Sequence, residues 1–220
     1  ADNRVLWRST FEDADSMLGH HDATTAGSVM DELLEEGVAE QGRFAVTGPL
    51  QELHKIKDRM GRLDGEYFES QDGFQTGFIS QTGTDQTGIA TAEGTLCSSC
   101  PSFKVQDWTA AAPLVRQFID RTGLETGCTY FGWSSRGEDL QWHGNYKDGT
   151  ALRDHFNNVS DLILALDEGP ARMMKLELHG PAVELDKARD ATAHFRDVLR
   201  YESDHRVQRL VQRFEHLKQS

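Results

Sequence analysis

With 220 residues, 37% of them hydrophobic, the chain can form one large domain or two units of roughly 100 residues each. Its 36 acidic and 23 basic residues give a net charge of −13, the wrong sign for a surface that grips nucleic-acid phosphates. No apolar run approaches the ~20 residues needed to cross a bilayer, so a soluble protein without a membrane span is expected. The chain opens Ala1-Asp2-Asn3 and not on Met, as expected either of a chain processed from a longer precursor, a cleaved targeting segment being one case, or of an excerpted sequence; the compartment stays open.

Residues 4–11 alternate as a strand, and Asp13 is placed to cap a helix carrying Met17, His20, Val29, Leu33 and Leu34, with an interruption near Thr24-Thr25-Ala26-Gly27 and a stop at Gly37. Phe44-Ala45-Val46 is a second strand, and Gly48-Pro49 starts a new helix from Leu50 to Met60. Tyr67-Phe68-Glu69 is a further strand. Residues 76–100 are Gly/Thr-rich with little periodicity and read as a linker. Within it, Cys97-Ser98-Ser99-Cys100 has C-x-x-C spacing but no second ligand pair for zinc, and reads as an incidental or linker disulfide pair.

Beyond the linker, Ser102 to Trp108 alternates as a strand, and Pro113 to Arg121 sets Leu114, Val115, Phe118 and Ile119 at helical spacing. Cys128, a small buried residue, opens an apolar strand to Trp133, and residues 134–139 form a hairpin turn into a strand over 140–146. Asp148 caps a helix whose apolar face is Leu152, His155, Phe156, Val159, Leu162, Ile163 and Leu166, the spacing of a helix lying on a sheet. Met173 to His179 is a strand, Pro181 starts another helix, and Leu199-Arg200-Tyr201 is the last strand. Val207, Leu210, Val211, Phe214 and Leu217 mark an amphipathic C-terminal helix over 205–220.

Much of this occurs twice. Phe11 and Tyr146, Asp13 and Asp148, and His20 and His155 are each 135 positions apart; Gly48 and Gly180, Pro49 and Pro181, Glu52 and Glu184, Leu53 and Leu185, and Lys55 and Lys187 are each 132 apart. A fixed long period means a duplicated structural unit. The predicted class is therefore α+β, built from ferredoxin-like β-α-β-β-α-β units. Residues 101–204 form the complete unit, and residues 1–75 form a first unit without its leading β-α-β; either that start was cut away, or an additional chain or an oligomer supplies it. The repeated Glu52/Lys55 and Glu184/Lys187 pairs read as a solvated helix face with weak ion pairs.

The second unit resembles the antibiotic biosynthesis monooxygenase-like family of the dimeric α/β-barrel superfamily, in a tandem-repeat branch of unassigned activity. The resemblance rests on Phe103-Lys104-Val105-Gln106-Asp107-Trp108, on Gly127-Cys128-Thr129-Tyr130-Phe131-Gly132-Trp133, on Tyr146-x-Asp148 followed by His155, and on His179-Gly180-Pro181-x-x-Glu184-Leu185-x-Lys187. It implies two ferredoxin-like units joined sheet to sheet as a barrel, with a pocket between sheet and helices. It also implies a cofactor-independent monooxygenase acting with O₂ on a small, electron-rich quinol or phenol. Haem-degrading relatives place an Asn on the first strand, and no Asn stands between Ser102 and Trp108.

A neutral His is the apt base for a phenolic proton, and aromatic walls hold a flat ring. His155 is the candidate base, with Trp133, Trp142 and Tyr146 as candidate substrate-binding walls. A lone His on an apolar helix face is ordinarily a core residue satisfied by a carbonyl or hydroxyl. On residues 140–146, alternation turns either Trp142, Gly144 and Tyr146 or Gln141, His143 and Asn145 toward the site. The competing expectation is a non-catalytic tandem-repeat module that binds a protein partner or an apolar ligand or pigment.

Overall fold

The computed structural model of the protein describes residues 11, 13–25, 44–60, 65–75 and 97–203. The strand expected over 4–10, the helix residues Val29, Leu33 and Leu34, the body of the linker and the C-terminal helix lie outside the described residues. Two compact units divide between Ser70 and Gln71. The fold is α+β.

In the first unit, α1 (Ala14–Thr25) packs on α2 (Leu50–Met60), and β1 (Phe44–Gly48) pairs in parallel with β2 (Gly65–Gln75), which runs on into the second unit. The core is Ala14, Leu18, Val46, Leu53, Ile56 and Met60. Leu53, Ile56 and Met60 recur at steps of three and four, the stripe an amphipathic helix buries. A parallel strand pair needs a crossover, and Gly48-Pro49-α2 supplies it, with Leu53 N–H bonded to the Pro49 carbonyl at 3.0 Å.

The second unit contains β3 (Cys97–Val105), α3 (Trp108–Thr122), β4 (Cys128–Arg136), β5 (Asp139–Tyr146), α4 (Gly149–Asp167), β6 (Ala171–Gly180), the short α5 (Ala182–Leu185) with two 3₁₀ turns after it, and β7 (Leu199–Ser203). Its strand order is β4-β5-β3-β6-β7. The first four strands are antiparallel, in the second-third-first-fourth order of a ferredoxin-like β-α-β-β-α-β unit. β7 adds in parallel to β6 after the Gly180-Pro181 crossover, as β2 does to β1 after Gly48-Pro49.

Three local expectations are corrected. β3 begins at Cys97, so the C-x-x-C residues are not linker but strand, and all three cysteines are buried thiols outside any disulfide. Trp108 does not end a strand; it opens α3, because Asp107 Oδ1 accepts the N–H groups of Thr109 and Ala110 at 2.9 and 3.1 Å and caps the helix there. After Pro181, the helix lasts only Ala182–Leu185. Two short 3₁₀ turns, Asp186–Ala188 and Ala193–Phe195, follow it and carry the chain on to β7.

The hairpin turn between β4 and β5 sits where expected, with Gly137 at φ +61, the left-handed region that favours glycine. The core lies between the sheet and the pair α3 and α4. Phe118, Phe131, Trp142, Leu152, Phe156, Val159, Ile163 and Leu166 are all completely buried there.

Candidate functional site

The helix that carries His155 is tied down at its start. Asp148 Oδ1 accepts the Ala151 N–H at 2.8 Å, and Glu184 Oε2 accepts the Gly149 N–H at 2.8 Å. Lys187 Nζ binds both Glu184 oxygens at 2.7 and 2.8 Å. The first unit repeats the arrangement: Asp13 Oδ1 accepts Ser16 N–H at 2.8 Å, Glu52 Oε2 accepts Ala14 N–H at 2.9 Å, and Lys55 Nζ reaches Glu52. The repeated Glu and Lys are therefore not merely a solvated face. Glu184 is only 8% exposed, and the carboxylate satisfies an N–H that a helix start leaves without a partner. Lys187 and the Gly149 N–H hold its carboxyl below the usual glutamate range.

All seven residues expected on the apolar face of α4 are buried, His155 completely. Its Nδ1 lies 3.0 Å from Oε2 and 3.2 Å from Oε1 of Glu125, in the turn between α3 and β4. Asn158, one turn along α4, donates from Nδ2 to Glu125 Oε1 at 2.7 Å. His155 Nε2 is buried and makes no hydrogen bond. Around the imidazole stand Tyr146 at 4.9 Å, Phe131 and Phe156 at 5.6 Å, and Trp142 at 6.1 Å between ring centroids.

On β5 the alternation resolves in favour of Trp142, Gly144 and Tyr146, which are buried under the helices, whereas His143 and Asn145 are only half-buried. Trp142 Nε1 donates to Ser99 Oγ at 3.0 Å, and the same Oγ meets the Tyr146 hydroxyl at 3.1 Å. Gly144 makes the arrangement feasible: a Cβ there would stand 2.8 Å from Tyr146 Cζ, inside the phenol ring's space. Burial pushes the Tyr146 phenol well above its ordinary range, so it stays protonated at neutral pH. Loss of solvent, reinforced by the charge of Glu125, pushes the neighbouring Cys128 thiol up to about 12.

His155, Trp142 and Tyr146 thus come together. Trp133 joins them at one remove, packed edge-on against Trp142 at 5.0 Å and against Phe131 at 6.2 Å, with its Nε1 buried and without a hydrogen bond. Sequence reasoning missed Glu125, Asn158, Phe131 and Ser99. Helical spacing alone could have found Asn158, three residues after His155; Glu125 reaches the site only through tertiary packing.

In the first unit the ring pair repeats, with Phe11 and His20 5.3 Å apart where the second unit has Tyr146 and His155. His20, unlike His155, is exposed.

No family model and no curated protein matches the chain. Among solved structures, MupZ from Pseudomonas fluorescens is similar at 27% identity and a TM-score of 0.44, over 50% of this chain and 89% of its own. Among the described residues, no group of three or more His, Cys, Asp or Glu is arranged to hold a metal ion, and no helix is long and apolar enough to cross a membrane.

Proposed function

We propose that the second unit is a cofactor-independent monooxygenase of the antibiotic biosynthesis monooxygenase-like kind, acting on a small electron-rich phenol or quinol with His155 as its base. One observation carries the reading: a buried imidazole with an unpartnered Nε2, surrounded by Phe131, Trp142 and Tyr146. A buried polar atom with no partner is rare enough to call for an explanation, and a substrate hydroxyl supplies one.

In this reading the substrate hydroxyl gives its proton to Nε2. The phenolate passes electrons to O₂, one oxygen atom bonds to a ring carbon in place of hydrogen, and the other leaves as water. The ring ends as a quinone. Aromatic walls favour the flat ring and keep water from the anion.

The test is oxygen uptake by the pure protein with a panel of quinols and phenols. Wild type is expected to exceed spontaneous oxidation with at least one member, and His155→Ala to fall to that background. Equal uptake by both proteins would reject His155 as the base.

A second reading, a non-catalytic module, is favoured by the ring-on-ring filling of the core, where Trp133 also meets Phe118 at 5.3 Å and Phe103 at 6.1 Å. It expects no uptake with any member of the panel.

A further inference from the structure

We infer that Glu125, steadied by Asn158, is the positioning residue of this site: it keeps the hydrogen of neutral His155 on Nδ1 and leaves the lone pair on the buried Nε2. This rests on the reading of His155 as a base, and it assigns roles to two residues outside that reading.

A carboxylate can only accept hydrogen bonds, whereas a neutral imidazole has one donor and one acceptor nitrogen. The nitrogen beside the carboxylate therefore carries the hydrogen, and the other has the lone pair. Both Glu125 oxygens lie within 3.2 Å of Nδ1, while Nε2 is buried without a hydrogen-bond partner in an imidazole that Phe131 and Trp142 pack against. Tyr146, the other titratable group against the imidazole, already shares its hydroxyl with Ser99. Without Glu125, either nitrogen could hold the hydrogen.

Asn158 determines how the carboxylate is turned. Its amide donates to Oε1 from the same helix that carries His155, so base and orienting group share one rigid element. Arg121 anchors that stretch of α4 to α3, donating to the Asn158 carbonyl at 3.0 Å and to Asp161 at 2.6 Å. Glu125 itself is held in its turn by its own N–H on the Thr122 carbonyl at 3.0 Å.

This polarity makes an unusual substitution informative. In Glu125→Gln, the Gln oxygen in the Oε1 place accepts from Asn158, and the Gln NH₂ takes the Oε2 place, the nearer of the two to Nδ1 at 3.0 Å. Nδ1 must then accept, the hydrogen moves to Nε2, and the base is lost. Adding Asn158→Asp reverses the logic: the introduced carboxylate accepts the Gln NH₂, and the Gln oxygen can accept from Nδ1 again.

The experiment is ¹⁵N NMR of histidine-labelled protein at about pH 8, above the ordinary histidine range. The His155 signals are assigned by their loss in His155→Ala, and oxygen uptake is measured on the same samples. Wild type is expected as the Nδ1–H tautomer and Glu125→Gln as the Nε2–H tautomer with uptake reduced about 100-fold or more. The double variant is expected to regain both the wild-type tautomer and most of the uptake.

A wild-type spectrum showing Nε2–H overturns the inference without any variant, as does an unchanged tautomer in Glu125→Gln. Absent uptake in wild type rejects the oxygenase reading, while the tautomer series still judges Glu125. Uptake that His155→Ala abolishes and Glu125→Gln leaves intact rejects the positioning role alone.

Discussion

Replacing Glu184 with alanine tests whether the repeated carboxylate is a structural tie or surface decoration. The substitution removes the acceptor of the Gly149 N–H at 2.8 Å and the partner of Lys187. Lys187 is 44% exposed, so its ion pair is largely screened and contributes at most about 1 kcal/mol. The N–H is different: the bond is buried and its acceptor is charged, so its loss costs about 1.5–3 kcal/mol. The sum, about 1.5–4 kcal/mol, lowers the melting midpoint of a unit this size by roughly 3–15 °C.

Urea denaturation followed by circular dichroism measures the cost, with Glu184→Gln, which keeps an acceptor oxygen, expected to lose less than half as much. The pH dependence has a fixed sign. Because Glu184 is held below its ordinary range when folded, its contribution is complete above that range and disappears as the pH falls through the lowered value. Wild type and Glu184→Ala should therefore converge in acid. A difference under about 0.5 kcal/mol at neutral pH would refute the reasoning.

Gly149→Ala should destabilise by about 1–3 kcal/mol or more in thermal melts, because the new methyl would fall on the backbone carbonyl of Glu184; the corresponding residue of the first unit is already Ala14. Ser99→Ala should cost about 1–3 kcal/mol by the same assay, since it removes the shared partner of Trp142 and Tyr146 in a fully buried place. The three buried thiols should resist a soluble disulfide reagent in native protein and react once the chain is unfolded. Because the Cys128 thiol is pushed up to about 12, the stability it confers is complete below the ordinary thiol range and lost as the pH rises toward that value.

The elements easiest to read from the sequence were those whose burial has one clean period. The stripe from Leu152 to Leu166 could only be a helix on a sheet, and it carried His155 inward with it. Cys97 to Pro101 concealed a central strand, because Pro101 offers no ladder hydrogen and the run reads as loop. Pro101 is nonetheless paired with Leu176 of β6, and the register shifts just beyond it, between Ser102 and Phe103.

The choice between the faces of β5 was open to a stricter use of the repeat. The step of 135 that joins Phe11 to Tyr146 also joins Trp7 to Trp142, and aromatics kept at both positions mark the buried side. Glu125 could not be read this way. A carboxylate in a turn between elements has no periodicity, and its partner was 30 residues away.

The edge-on contact of Trp142 with His155 has a practical consequence. An excited indole loses its energy readily to a charged imidazolium beside it and poorly to a neutral imidazole. Light emitted from this ring should therefore dim when His155 takes up a proton, which gives the protein an intrinsic optical gauge of the event its proposed chemistry depends on, readable without any substrate or added label.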